Sequence, residues 1–206
     1  TVSVPITGDT HYEDNETFYL NLTGTSYGTM SDSQGVGTIL NDDSQPSVTL
    51  GLTGSPFTEN GGVSTVTATL SNRSYQNVTV DLGFTGTATN FADYTRSNAS
   101  ITIHAGATTG SITLTGVNDA TDEDDETVIV DISGVTNGTE NGTQQVTAAI
   151  TDDDAAPSIS VDDPSVTEGD GAAANLVFTV TLSAASAKTV TMNYFTADHT
   201  AVSGAD

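Results

Sequence analysis

The sequence predicts an all-β protein made of tandem seven-stranded antiparallel β-sandwiches. Three observations predict it. Segments about 110 residues apart resemble one another, and that period is the length of one sandwich domain rather than of a short solenoid repeat. Short runs of Val, Ile, Leu and Phe alternate with Thr and Ser at period two, as in strands with one buried face. No segment carries a 3.6-residue period, so helix content should be near zero.

The repeat is read from matched segments. Residues 6–17 align with residues 115–127 when Asp9 is set on Asp119; the offset of 110 then sets Glu13 on Glu123 and Glu16 on Glu126. Residues 41–48 match 152–159 at an offset of 111, residues 58–61 match 167–170, and Ala92-Asp93 matches Ala205-Asp206. The chain thus divides into the back part of one repeat (1–45), a complete repeat (46–156) and the front part of a third (157–206). It starts in mid-strand at Thr1-Val2-Ser3-Val4 and is expected to be an excerpt of a longer polypeptide, with any secretion signal outside it.

Within the complete repeat the first expected strand is 47–53. The second, 63–71, turns Val66, Ala68 and Leu70 inward, and the third, 78–84, does so with Val78, Val80, Leu82 and Phe84. A fourth follows at 99–104. Ile112 and Leu114 mark the fifth at 111–117, and Val128, Val130 and Ile132 mark the sixth at 127–133. The seventh is 145–151. Turns rich in Gly and Asn separate them, as two packed antiparallel sheets require.

Charge narrows the function. Against 27 Asp and Glu stand three basic residues, Arg73, Arg96 and Lys188, for a net charge of −24. Such a surface repels nucleic acid and anionic membranes. Acidity alone would suggest disorder, but the regular apolar alternation argues against it. Cysteine is absent, so there is no disulfide framework. No run of 18 apolar residues occurs, so direct membrane insertion is not expected.

The acidic residues are clustered. Asp119 to Glu126 holds six carboxylates in eight residues, Asp152, Asp153 and Asp154 follow one strand later, and no Lys or Arg lies inside or between the two. Carboxylates about 4 Å apart repel by roughly 1 kcal/mol per pair even in water. Gathering them at one place calls for a counter-charge, and hard, oxygen-seeking Ca²⁺ takes six to eight oxygens from flexible loops. The other reading is a solvated acidic loop. Glu59 precedes the second strand, Asp93 the fourth, Asp119 and Glu123 the sixth, and the Asp triplet closes the seventh. Strand order alone does not bring these positions to one end.

Several segments carry a family resemblance. They are Val166-Thr167-Glu168-Gly169, residues 178–183 (FTVTLS), residues 193–206 (NYFTADHTAVSGAD), Asp9 through Phe18, and Ile150-Thr151-Asp152-Asp153-Asp154. With them the chain resembles the Calx-β domain over its whole length. The resemblance implies immunoglobulin-like sandwiches of the Calx-β type and Ca²⁺ as the bound ion. By matched position it implies that the middle repeat draws ligands from Glu59, Asp93, Asp119, Glu123, Glu126, Asp152, Asp153 and Asp154, with the carbonyl of Thr121. Their counterparts are Asp9, Glu13, Glu16, Asp42 and Asp43 in the first repeat, and Glu168 and Asp206 in the third. Asn118, Gly8 and Asn41 stand where calcium-rich members carry Asp, so one or two ions per repeat are expected.

The function so implied is an extracellular, calcium-stiffened structural or adhesive array forming part of a surface fibre. The alternative is a calcium-sensor module of a larger membrane transport or signalling protein. The expected partners are further repeats of the same protein, head to tail, with glycans or other surface proteins as candidate ligands. Seven Asn-X-Ser/Thr sequons, at Asn15, Asn21, Asn72, Asn77, Asn98, Asn137 and Asn141, suit a secreted surface protein or simply a Thr-rich one.

No enzyme is expected. Gly24-Thr25-Ser26-Tyr27-Gly28 matches a nucleophile-elbow pattern but follows a strand in an all-β context, which makes it a hairpin loop. The glycines at 169 and 171 lead into a strand, not into the helix a dinucleotide site needs. His11, His104 and His199 have no transition-metal spacing. Paired carboxylates could serve a glycosidase, but no Trp is present to line a cleft.

Overall fold

The computed structural model describes residues 1–167, 169, 171 and 174–201. It divides into two units, one of residues 1–118 and 125–151, the other of residues 119–124 and 152–206. Among the described residues there is no helix long and apolar enough to cross a membrane.

The first unit opens with β1 (Glu16–Asn21) and β2 (Gln34–Ile39). There follow β3 (Ser47–Thr53), β4 (Phe57–Thr58), β5 (Val63–Leu70), β6 (Val78–Gly86), β7 (Tyr94–Arg96) and β8 (Ser100–Ile103). Then come β9 (Thr109–Gly116), β10 (Glu126–Thr136), β11 (Thr139–Glu140) and β12 (Gln145–Thr151). From β3 onward they form two five-stranded sheets, ordered β4-β12-β10-β6-β8 and β11-β3-β5-β9-β7. All seven expected strands are present, within a few residues of their expected bounds. The sandwich adds three very short strands, β4, β7 and β11, too brief to show alternation. Two of them run parallel to their neighbours, β4 to β12 and β11 to β3, and so cover sheet edges that would otherwise be open.

The alternation resolves as expected. Val66, Ala68, Leu70, Val78, Val80, Leu82, Ile112, Leu114, Val128 and Val130 are all buried between the sheets. Burying each such aliphatic side chain stabilises the fold by about 1.5–3 kcal/mol. Phe84 and Ile132 lie at the margin of the core, half-buried. Phe84 there carries the guanidinium of Arg96 4.1 Å above its ring. A bulge between Ile132 and Gly134 shifts the β10–β6 register, which lets so long a strand follow the sheet twist.

The flanking half-repeats reproduce parts of this sandwich. In β1–β2, Glu16 faces Ile39 and Phe18 faces Gly37, as Glu126 faces Ile150 and Val128 faces Ala148 in β10–β12. The loop between β1 and β2 holds residues 24–28, the hairpin expected there. The second unit contains β13 (Ile159–Val161) and β14 (Val180–Leu182). Its pairs Ile159 with Leu182 and Val161 with Val180 repeat Val48 with Leu70 and Leu50 with Ala68 of β3–β5.

Candidate metal centre

In the first half-repeat four acidic residues, Asp9, Glu13, Asp14 and Glu16, line one cavity of about 530 Å³ together with Tyr75 and Gln76. The loop is shaped by its own side chains. Asp9 Oδ1 accepts a 2.8 Å bond from the N–H of His11, and that bond holds the Asp9 carboxyl below its ordinary range. Asn41 Oδ1 accepts from the N–H groups of Glu13 and Asp43, both at 3.4 Å. Glu13 is pushed the other way: burial raises its carboxyl, and the charges of Asp9, Glu16 and Asp43 raise it further. Asp42 is exposed, while Asp43 is half-buried.

The same loop packs on the following repeat. Tyr12 N–H donates to the Arg73 carbonyl at 3.1 Å, and Tyr75 N–H donates to the Tyr12 carbonyl at 2.9 Å. His11 meets the Tyr75 ring edge-on at 4.9 Å, and Gln76 donates to Asp14 at 2.6 Å.

Within the complete repeat, the first unit holds Glu59, Asp93 and Glu126. Glu59 is buried, only 6% exposed. Its N–H donates to the Thr151 carbonyl at 3.1 Å, immediately before the Asp triplet in the chain. Gly116 at the end of β9 permits this seat, since a Cβ there would strike the carbonyl oxygens of Thr58 and Glu59. Asp93 is half-buried and accepts a bond from the N–H of Thr89. Carboxylate oxygens of Asp93 and Glu126 lie within 4.8 Å of each other.

The second unit holds the rest of the expected set. Asp119 Oδ1 accepts from Thr121 N–H at 2.7 Å, the turn made by Asp9 one period earlier. Asp152 Oδ1 accepts from Asp154 N–H at 3.4 Å, as Asn41 does from Asp43. Carboxylate oxygens of Asp119 and Asp154 approach within 4.8 Å, while the Oδ2 of Asp154 is buried without a hydrogen-bond partner among the described residues. Glu123 is half-buried and Asp153 exposed. Glu168 and Asp206 lie outside the described residues.

One acidic residue has a different role, which sequence reasoning missed. Asp122 is buried; it accepts 2.8 Å bonds from both Ser186 Oγ and Lys188 Nζ, and Ala187 N–H donates to its carbonyl at 3.0 Å. The Lys188 hydrogen bond holds the Asp122 carboxyl below its ordinary range and raises the lysine in turn. Asp124 stands 3.7 Å from the same ammonium. The signal for this pairing was present: Lys188, one of three basic residues, falls where the middle repeat has Gln76.

These donors are carboxylate, amide and carbonyl oxygens, without sulfur and with one peripheral imidazole. Close carboxylate pairs, the half-buried Glu13 and the unsatisfied oxygen of Asp154 fit a hard divalent cation such as Ca²⁺.

The family described as "Calx-beta domain" matches residues 1–43, 41–155 and 152–206. No curated protein sequence matches. Among solved structures the chain is similar to "Crystal structure of CBD12 from CALX1.2", at 20% identity and a TM-score of 0.44, over 53% of this chain and 45% of that one. It is likewise similar to "Crystal structure of Apo-form Calx CBD1 domain", at 19% identity and a TM-score of 0.44, over 52% of this chain and 98% of that one. The chain thus spans less than half the length of the first of these. With three segments that together cover it from end to end, the chain belongs to the Calx-beta domain family.

Proposed function

We propose that this chain is a calcium-binding structural segment of an extracellular repeat protein, not an enzyme, in which Ca²⁺ stiffens the acidic loops of successive sandwiches into a surface fibre. The observation that carries this is the repetition of one acidic loop. Asp9 and Asp119 make the same turn, Glu13 and Glu123 share the same half-burial, and Asp43 and Asp154 occupy equivalent half-buried positions. In the middle repeat Glu59, Asp93, Asp119, Glu123, Glu126, Asp152, Asp153 and Asp154, with the Thr121 carbonyl, would hold the ion. In the first repeat Asp9, Glu13, Glu16, Asp42 and Asp43 would do so, and in the third Glu168 and Asp206. The bound ion supplies positive charge where the loop carries only negative. The seven sequons and the acidic surface support an extracellular setting, and glycans or surface proteins are the ligands such a fibre would meet.

A ligand bound only by the folded state adds about 2.7 kcal/mol at a hundredfold excess over Kd. Thermal melts should therefore shift upward by several degrees between chelator and millimolar Ca²⁺. Identical midpoints would exclude the calcium reading. A second reading, a sensor module of a larger membrane transport or signalling protein, is favoured by the packing of residues 11–14 on residues 73–76, through which ion occupancy would reach the next repeat. The affinity separates the two readings: roughly 0.1–1 mM suits an extracellular module and roughly 0.1–10 µM a sensor.

A further inference from the structure

Each unit contains the same contact between an acidic loop and a turn led by serine. In the first unit Tyr12 forms a parallel bridge with Ser74. The N–H of Tyr75 donates to the Tyr12 carbonyl at 2.9 Å, and the N–H of Gln76 donates to Ser74 Oγ at 3.0 Å. In the second unit Asp122 forms a parallel bridge with Ser186. The N–H of Ala187 donates to the Asp122 carbonyl at 3.0 Å, and the N–H of Lys188 donates to Ser186 Oγ at 3.1 Å. The two backbone frames match bond for bond.

The side chains on that frame differ in charge. In the first unit the neutral Gln76 donates to Asp14 Oδ1 at 2.6 Å, and the Tyr12 hydroxyl accepts from Gln45 Nε2 at 3.1 Å. At the matching places of the second unit stand Lys188, the chain's one lysine, and Asp122. The ammonium lies 2.8 Å from Asp122 Oδ1 and 3.7 Å from that of Asp124, the counterpart of Asp14. The charge of Asp152 reaches it as well. Asp122 is 5% exposed, and a carboxylate buried so deeply is strongly destabilising once its partner is taken away. The protein thus supplies a cation of its own where the first unit has an amide facing the cavity of Asp9, Glu13, Asp14 and Glu16.

We propose, on the calcium reading given above, that Lys188 is a tethered counter-cation: it holds the 119–124 loop on the 186–188 turn without calcium and weakens calcium binding there, while the 9–14 loop, with Gln76 in that place, needs the ion to stay on its turn. Calcium therefore acts on the two loops unequally. It closes the first and finds the second closed already. The same ammonium that replaces the ion also repels it, since both carry positive charge beside the same carboxylates.

Amide exchange and calcium titration followed by NMR on the whole chain test this, because the N–H groups of Tyr75 and Ala187 report the two contacts separately. Between chelator and calcium, exchange at Tyr75 should slow by about tenfold or more, and exchange at Ala187 by less than about twofold. Lys188→Gln gives the second contact the residue of the first. It should free Ala187 in chelator, restore its protection with calcium, and lower its calcium midpoint by roughly three- to tenfold. A lysine serving only as a structural hydrogen-bond donor would be lost without that gain in affinity, so an unchanged or raised midpoint overturns the proposal. Gln76→Lys should do the reverse at Tyr75, protecting it in chelator and raising its calcium midpoint. This variant adds a charge pair rather than removing one, so it decides the matter even where Lys188→Gln unfolds its turn: an unchanged Tyr75 in chelator overturns the proposal. Calcium that moves neither amide in any variant overturns the calcium reading and the counter-cation together. Calcium that protects Tyr75 while Lys188→Gln leaves Ala187 as in the wild type overturns the counter-cation alone.

Discussion

At Glu13 burial and three neighbouring carboxylates all oppose the charged form. An acid whose folded pKa is raised penalises the ion-free fold above that raised value, and the penalty vanishes below the ordinary value of 4.5, where the residue is protonated in both states. Glu13→Gln is therefore expected to raise the melting temperature of the chelated protein at neutral pH. That gain should disappear on acidification below the ordinary glutamate range, and calcium should stabilise this variant less than the wild type. A variant equally stable to the wild type at both pH values would contradict the assignment. In the second unit, Asp154→Asn and Glu123→Gln are each expected to weaken calcium binding about 10- to 100-fold, the loss of one charge-assisted contact of roughly 1.5–3 kcal/mol. Asp81→Asn, on the exposed face of β6, should leave it unchanged. Calorimetric titration of the three variants decides this, and a uniform response would return the clusters to ordinary surface charge.

Among the strands, equivalence by sequence does not mean equivalence in energy. Leu70 and Leu182 occupy the same place in β5 and β14, opposite Val48 and Ile159. Leu70 is 6% exposed and Leu182 is 40% exposed. Leu70→Ala should cost about 2–5 kcal/mol, through lost burial and the cavity left behind. Leu182→Ala should cost no more than about 0.5 kcal/mol. Urea melts of the two variants measure the difference. Equal losses would mean that Leu182 is packed as closely as Leu70.

Over the molecule as a whole, a net charge of −24 makes the ion-free fold repel itself. Monovalent salt screens that repulsion within about 10 Å at 0.1 M, so potassium chloride should stabilise the chelated protein gradually and without saturation. Calcium held by specific carboxylate pairs should act at far lower ionic strength and should saturate. Melting temperatures that coincide for the two salts at matched ionic strength would leave screening as the whole effect.

What the sequence by itself determined was everything periodic and local. The 110-residue repeat follows from matched segments, and the seven main strands with ten of the residues buried between the sheets follow from alternation, which is a property of neighbouring residues. The turns made by Asp9 and Asp119 are equally local, since each side chain bonds the backbone two residues on. Only the tertiary structure decided which carboxylates meet. Asp93 and Glu126, like Asp119 and Asp154, lie more than thirty residues apart in the chain, and their approach depends on where the ends of separate strands fall. It also separated Asp122 from its acidic neighbours, because the partner that neutralises it, Lys188, comes from a turn one repeat later. The two-residue strands β4 and β11 were invisible beforehand for a related reason: a strand that short exists only because an edge is there to receive it. Composition showed that the chain is acidic; the packing of strands set how that charge is shared out.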